Sequence, residues 1–158
     1  MKVLLLNGSP RKNGCTYTAL NVVADALKAE GIDAEVFQAG DPDMENVKAA
    51  AAKLKDSDAL VVGSPVYWAS PSGQIIEFMD RLASVAGKDM LYKPAAAVAS
   101  ARRAGTTATL DVLTKYFSYH QMPVVSSCYW NMVHGNTPEE VMKDEEGVQI
   151  MRVLGKNM

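Results

Sequence analysis

Cysteine is scarce in this chain of 158 residues: only Cys15 and Cys128 occur, far apart and in no C-x-x-C pair. Two such thiols form neither a disulfide framework nor a metal knuckle. A chain of this length needs no covalent staple, since its core buries roughly 68–70% of the surface the unfolded chain exposes. Cys15 and Cys128 are therefore expected as reduced thiols, Cys128 as a small core residue. The two histidines, His120 and His134, have no partner at metal-ligand spacing, and structural roles are expected for both. An excess of one charge is also missing. The net charge is −2 with both signs scattered, which gives no electrostatic reason to expect nucleic acid or an anionic membrane as partner. No long apolar run opens the chain, because only Val3–Leu6 follows Lys2 before Asn7. A signal-peptide core needs about 7–15 such residues and a membrane span about 20. A cytoplasmic protein that binds neither nucleic acid nor membrane is the expectation.

What is present is an alternation of short apolar runs with segments of helical period. Val3–Leu6, Ala34–Gln38, Ala59–Gly63, Ala95–Ala99 and Pro123–Tyr129 read as strands, most of them without polar interruption, as for strands covered on both faces. Between them, Thr16–Glu30, Met44–Lys55, Gly73–Val85 and Thr106–Tyr119 repeat apolar residues at helical spacing. Thr137-Pro138 and Asp144 each open a further helix near the end, with proline at the first helical position of the former. The acidic residues Glu139, Glu140, Asp144, Glu145 and Glu146 sit at these helix starts, where the macrodipole favours them. No repeat, linker or low-complexity stretch divides residues 1–158, so one domain is predicted. Strand and helix alternating five times predict a doubly wound α/β fold, a parallel sheet with helices on both faces.

In such a sheet the loops after the first, third and fourth strands emerge at one carboxyl edge, where open α/β sheets bind ligands. The first, Gly8–Cys15, joins glycines, the hydroxyls of Ser9 and Thr16, and Arg11 at the start of a helix. Glycines permit close backbone approach, free N–H groups and hydroxyls suit phosphate oxygens, and a guanidinium forks onto them. The loop is not a Walker A motif, because Gly8 and Gly14 are one residue too far apart and no Lys-Ser/Thr follows the second glycine. The G-x-G-x-x-G dinucleotide fingerprint is missing as well. Capping alone would account for Thr16, but not for Arg11 or the paired glycines. The second loop, Ser64–Gly73, sets Tyr67 and Trp68 side by side between prolines, which suits a flat ring. It carries no acid–base residue, and so fits a redox ring better than hydrolysis. The third, Ser100–Gly105, places Arg102 and Arg103 beside a glycine. A phospho-acceptor receiver domain shares the architecture, but it needs carboxylates at the ends of strands one and three. Asn7 and Gly63 stand there instead.

Taken together, GSPRKNGCT, SPVYWASPSGQIIEFMDR and ASARRAGTT resemble the three flavin loops of the NADPH-dependent FMN reductase family, in the right order along nearly the whole chain. The resemblance implies a flavodoxin-like sheet of five parallel strands in the order 2-1-3-4-5. It implies that Ser9, Arg11, Asn13, Cys15 and Thr16 surround the FMN phosphate. Pro65, Val66, Tyr67 and Trp68 would line the isoalloxazine, and Ser100, Arg103 and Gly105 would close the site. It also implies a homodimer or higher homo-oligomer. The implied activity is that of an oxidoreductase taking hydride from NADPH or NADH and reducing a small-molecule acceptor (flavin, quinone or nitro compound). The flavin carries the chemistry, so no catalytic side chain and no metal are expected. The other reading is a flavodoxin-like electron carrier without a nicotinamide site; such carriers are usually strongly acidic, unlike this chain. Related iron–sulfur flavoproteins carry clustered cysteines after the second strand, and Phe37–Asn46 has none.

Overall fold

In the computed structural model, which describes residues 1–158, strands and helices alternate from Lys2 to His134, apart from one added short strand, and two helices close the chain. β1 (Lys2–Asn7), β2 (Asp33–Gln38), β3 (Ala59–Tyr67), β5 (Ala95–Ala101) and β6 (Met132–His134) form a parallel sheet ordered β2-β1-β3-β5-β6. A two-residue strand, β4 (Ser70–Pro71), turns back antiparallel on β3 and is an addition to the predicted set. The parallel strands keep the predicted spatial order.

The uninterrupted apolar runs are explained by two cores, one on each face of the sheet. Leu4, Leu6, Leu60, Val62, Ala95, Ala97 and Ala99 point into one; Val3, Leu5, Ala59, Val61, Ala96 and Val98 point into the other. This is the strand's two-residue alternation with both faces covered. α2 (Met44–Lys55), α3 (Gly73–Met90) and α4 (Thr106–Tyr119) supply Val47, Leu54, Phe78, Leu82, Leu113 and Phe117 to the first core. α1 (Cys15–Ala29), α5 (Pro138–Val141) and α6 (Glu145–Asn157) supply Leu20, Val23, Leu27, Val141, Met151 and Leu154 to the second. Each such side chain, fully buried, stabilises the fold by about 1.5–3 kcal/mol. α3 runs on to Met90 past a break in helical geometry at Ala86 (φ −132°, ψ 18°).

The fifth parallel strand is displaced from its predicted place. Pro123–Tyr129 makes only one bridge, Val124 to Ala95, and regular pairing resumes at Met132. Side chains draw the intervening segment off the sheet toward α6: Ser127 Oγ donates to the Ile150 carbonyl (2.7 Å), and Asn157 Nδ2 donates to that of Ser126 (2.8 Å). The Asn131 amide fills the gap, donating to the Ala97 carbonyl at 3.0 Å. Cys128 lies on this excursion and is exposed, not a core residue. His120 is buried, with Nδ1 2.7 Å from the Tyr116 carbonyl; His134 meets the Arg103 carbonyl and the Asp144 carboxylate.

Candidate functional site

Asn7 ends β1 almost completely buried, and its side chain shapes the first loop. Oδ1 accepts from Ser9 N–H (3.2 Å), while Nδ2 donates to the Lys12 carbonyl (3.2 Å), to that of Arg11 (3.4 Å) and to Gln38 Oε1 (2.7 Å). Gln38 Nε2 donates in turn to the Ser9 carbonyl at 2.6 Å. A trans peptide points its N–H opposite its C=O. With the carbonyls of Arg11 and Lys12 held inward by Asn7, the N–H groups of Lys12 and Asn13 face outward. Gly8 is needed because a Cβ there would lie 2.6 Å from Ile75 and 2.7 Å from the Gly63 carbonyl.

α1 begins at Cys15, one residue earlier than predicted, and its cap is Gly14, which offers no side-chain hydrogen bond. Thr16 is not the cap. Its hydroxyl is buried inside the first turn and shares a 2.7 Å hydrogen bond with Ser100 Oγ, joining α1 to β5. Cys15 Sγ lies 3.6 Å from the Gly135 carbonyl, and burial pushes its thiol pKa above the ordinary value despite the nearby Arg11. The thiol is thus held protonated at neutral pH.

The second loop is a tight hairpin. Val66 pairs with Pro71 and Tyr67 with Ser70, leaving Trp68 and Ala69 as the tip, both left-handed (φ +52° and +58°). Two-residue hairpin tips with both residues at positive φ favour Asn-Gly; a non-glycine residue there costs about 1–3 kcal/mol. Two serines hold the hairpin in place. Ser64 Oγ accepts from Ser72 N–H (3.0 Å) and donates to the Pro65 carbonyl (2.7 Å). Ser72 Oγ donates to the Gly8 carbonyl (2.8 Å) and accepts from Ile75 N–H, so it caps α3 and ties the second loop to the first. Gly105 (φ +98°) opens α4 beneath the hairpin: a Cβ there would meet Ala69 Cα at 2.7 Å and Val66 Cγ1 at 2.8 Å.

A cleft of about 190 Å³ opens where these loops meet. Of the predicted residues it gathers Ser9, Arg11, Cys15, Thr16, Pro65, Val66, Tyr67 and Ser100. Asn13, Trp68, Arg103 and Gly105 do not line it. Asn13 is exposed, Trp68 stands fully exposed at the hairpin tip, and Gly105 acts from below as a spacer. On the third loop Arg102 lines the cleft in place of Arg103, whose carbonyl instead meets His134 Nε2 at 3.1 Å. Gly135 and Asn136 complete the wall and were missed because the fifth strand was read too early in the chain. A buried asparagine closing an otherwise leucine-rich strand was the available signal for Asn7.

The residues suit a phosphorylated ligand. α1 lacks both a side-chain cap and an acidic residue in its first turn, so its dipole and free N–H groups stay available to an anion beside Arg11. A larger groove of about 660 Å³ runs between α3 and α4 past Asp80, Tyr116, Tyr119 and His120. There Tyr116 donates to Asp80, and burial together with that carboxylate pushes the phenol pKa up. It lies between helices and shares no residue with the loop cleft.

The parallel order, the loop cleft and the uncapped α1 define a flavodoxin-like nucleotide fold. A WrbA-like flavodoxin from Agrobacterium tumefaciens superposes with a TM-score of 0.68 at 18% identity, covering 99% of this chain and 98% of that one. The chain belongs to the NADPH-dependent FMN reductase family, whose model matches residues 1–137, and is an FMN-dependent oxidoreductase. FMN with NADPH as the cofactor pair follows from that membership. An iron–sulfur flavoprotein of Methanocaldococcus jannaschii is 28% identical across 100% of this chain and 95% of its own length. An NADPH azoreductase from Bacillus sp. is 30% identical over 64% of this chain and 59% of its own. Four thiolates hold a typical iron–sulfur cluster, and Cys15 and Cys128 cannot supply that set.

Proposed function

We propose that this protein takes hydride from NADPH or NADH and passes two electrons to a flat small-molecule acceptor, a flavin, quinone, nitro or azo compound. The observation that carries the reading is the convergence of three loops under the uncapped start of α1. In this reading α1, Ser9 and Arg11 hold the FMN phosphate, and Asn7 keeps the loop's N–H groups turned outward. Pro65, Val66 and Tyr67 position the ring from one wall, with Ser100 and Arg102 opposite. Arg102 would favour negative charge developing at the ring. FMN held there would supply the two-electron redox chemistry, which none of the lining side chains provides.

The cleft is smaller than the roughly 300–1,000 Å³ of pockets that enclose a drug-sized ligand, so a bound flavin would stay partly uncovered by this chain and within reach of both substrates. Assembly as a homo-oligomer and residence in the cytoplasm belong to the same proposal. The test is anaerobic: protein loaded with FMN should lose its yellow colour on mixing with NADPH or NADH. Full FMN occupancy without bleaching would instead identify an electron carrier.

A further inference from the structure

We propose that His134 is a positioning residue of the cofactor cleft: it pins the third loop at the Arg103 carbonyl and so holds Arg102 against the flavin; this rests on reading that cleft as the FMN site. Arg102 lines the cleft, and neither it nor Arg103 has an ion-pair partner in the chain. The backbone must therefore set its direction. Residues 102–104 make no backbone–backbone hydrogen bond, and the one hydrogen bond they do make is to His134 Nε2, 3.1 Å from the Arg103 carbonyl. On either side the loop is fixed by other means. Gly135 N–H donates to the Ala101 carbonyl at 3.0 Å, and Gly105 is pressed beneath Ala69 of the hairpin. Arg102 thus lies between the end of β5 and a single tether, the imidazole.

The tether is itself anchored. His134 ends β6, and its backbone N–H donates to Asp144 Oδ2 at 2.7 Å. Asp144 also caps α6, accepting from Gly147 N–H at 3.0 Å, and a Cβ on Gly147 would run into that carboxylate. The ring's Nδ1 lies 3.7 Å from the same group. A carbonyl only accepts, so Nε2 carries a proton where it meets Arg103. Support therefore runs from the start of α6 through Asp144 and the imidazole to the third loop. Reduced FMN carries more negative charge than oxidised FMN, so a guanidinium held beside the ring favours the reduced form. The hold on Arg102 is then readable in the midpoint potential, which a histidine serving stability alone would leave unmoved.

The experiment compares midpoint potentials of the FMN-loaded parent and its variants. Arg102→Gln should weaken binding of reduced relative to oxidised FMN about tenfold, the scale of one hydrogen bond to a charged group. For a two-electron couple that ratio lowers the potential by about 30 mV. His134→Leu should reproduce most of the drop. The double variant should fall no further than Arg102→Gln alone, as when one group acts through the other. His134→Gln, whose amide N–H reaches the place of Nε2, should keep the parent potential; His134→Asn, one methylene shorter, should lose it. That pair decides the matter should the leucine variant not fold. Parent-like potentials in Arg102→Gln or His134→Leu, additive losses in the double variant, or equal behaviour of the Gln and Asn variants each overturn the positioning role while FMN remains bound. A parent protein that takes up no FMN defeats the cofactor reading itself, and this inference with it.

Discussion

The helix starts of this protein fall into two groups. α2, α3, α5 and α6 are closed by their own side chains: Asp43, Ser72, Thr137 and Asp144 each accept a backbone N–H of the first turn. α1 and α4 are not; their caps are Gly14 and Gly105, with no side-chain hydrogen bond and no acidic residue following. A glycine cap leaves a helix only about a few tenths of a kcal/mol less stable than a good side-chain cap. The uncapped helices are those that follow the first and third loops of the cleft. In the proposed reading the first-turn N–H groups of α1 are kept for the FMN phosphate, while α2, α3, α5 and α6 satisfy their own.

Giving α1 a cap of its own should break this contrast most visibly. Gly14 has an extended backbone that any residue adopts, and a Cβ there needs Arg11 to give by a few tenths of an ångström. Gly14→Asp is expected to weaken FMN binding by about 3 kcal/mol, roughly a hundredfold, by placing a carboxylate where the phosphate belongs. The same change should raise the stability of the FMN-free protein by about a few tenths of a kcal/mol. Fluorescence titration with FMN and thermal melts of the stripped protein read the two effects, and falling stability would refute the idea. Arg11→Ala should cost about 1.5–3 kcal/mol of FMN affinity, the range for a hydrogen bond to a charged group. Unchanged affinity removes Arg11 from the site. Asp43→Ala on α2 is the converse control, expected to lower stability by about 1 kcal/mol while FMN affinity stays at the parent value.

The smallest effect is chemical. Exposed Cys128 should react with iodoacetamide before Cys15 at neutral pH. Burial raises the Cys15 pKa, so the stability gained by keeping that thiol neutral is complete below the ordinary thiol range. That contribution drains as the pH climbs through the raised value. Labelling of Cys15 should accelerate only under those alkaline conditions, as mass spectrometry of the two peptides would report.

Much of this was legible in the chain because double burial leaves a plain mark. β1, β3 and β5 are runs of apolar residues, and the segments between them repeat at helical spacing, so the sheet and the ligand-binding edge could be read directly. The fifth strand could not. Val124 and Val125 look like strand residues, but Ser127 and Asn157 form their hydrogen bonds with the opposite layer, and such long-range side-chain bonds leave no periodic trace. That error hid Gly135 and Asn136. Arg102 and Arg103 could not be told apart, because adjacent residues leaving a strand point to opposite sides and the phase there is set by the loop. Asn7 was seen only as a missing carboxylate. Its role depends on Gln38, which a different strand brings within 2.7 Å.

The contact between α6 and α1 has a mechanical consequence. At Gly155 a single methyl would fall 2.6 Å from Ala26 Cβ and 2.8 Å from the Val23 carbonyl, so even alanine there must force the two rods apart. Val23 lies about 12 Å along α1 from Cys15, at the helical rise of roughly 1.5 Å per residue. α1 acts as a lever pinned between the sheet and α6. In the proposed reading a wedge at its far end would tilt the end that holds the FMN phosphate, so residues with no contact to the cleft would bear on how firmly that anion is held.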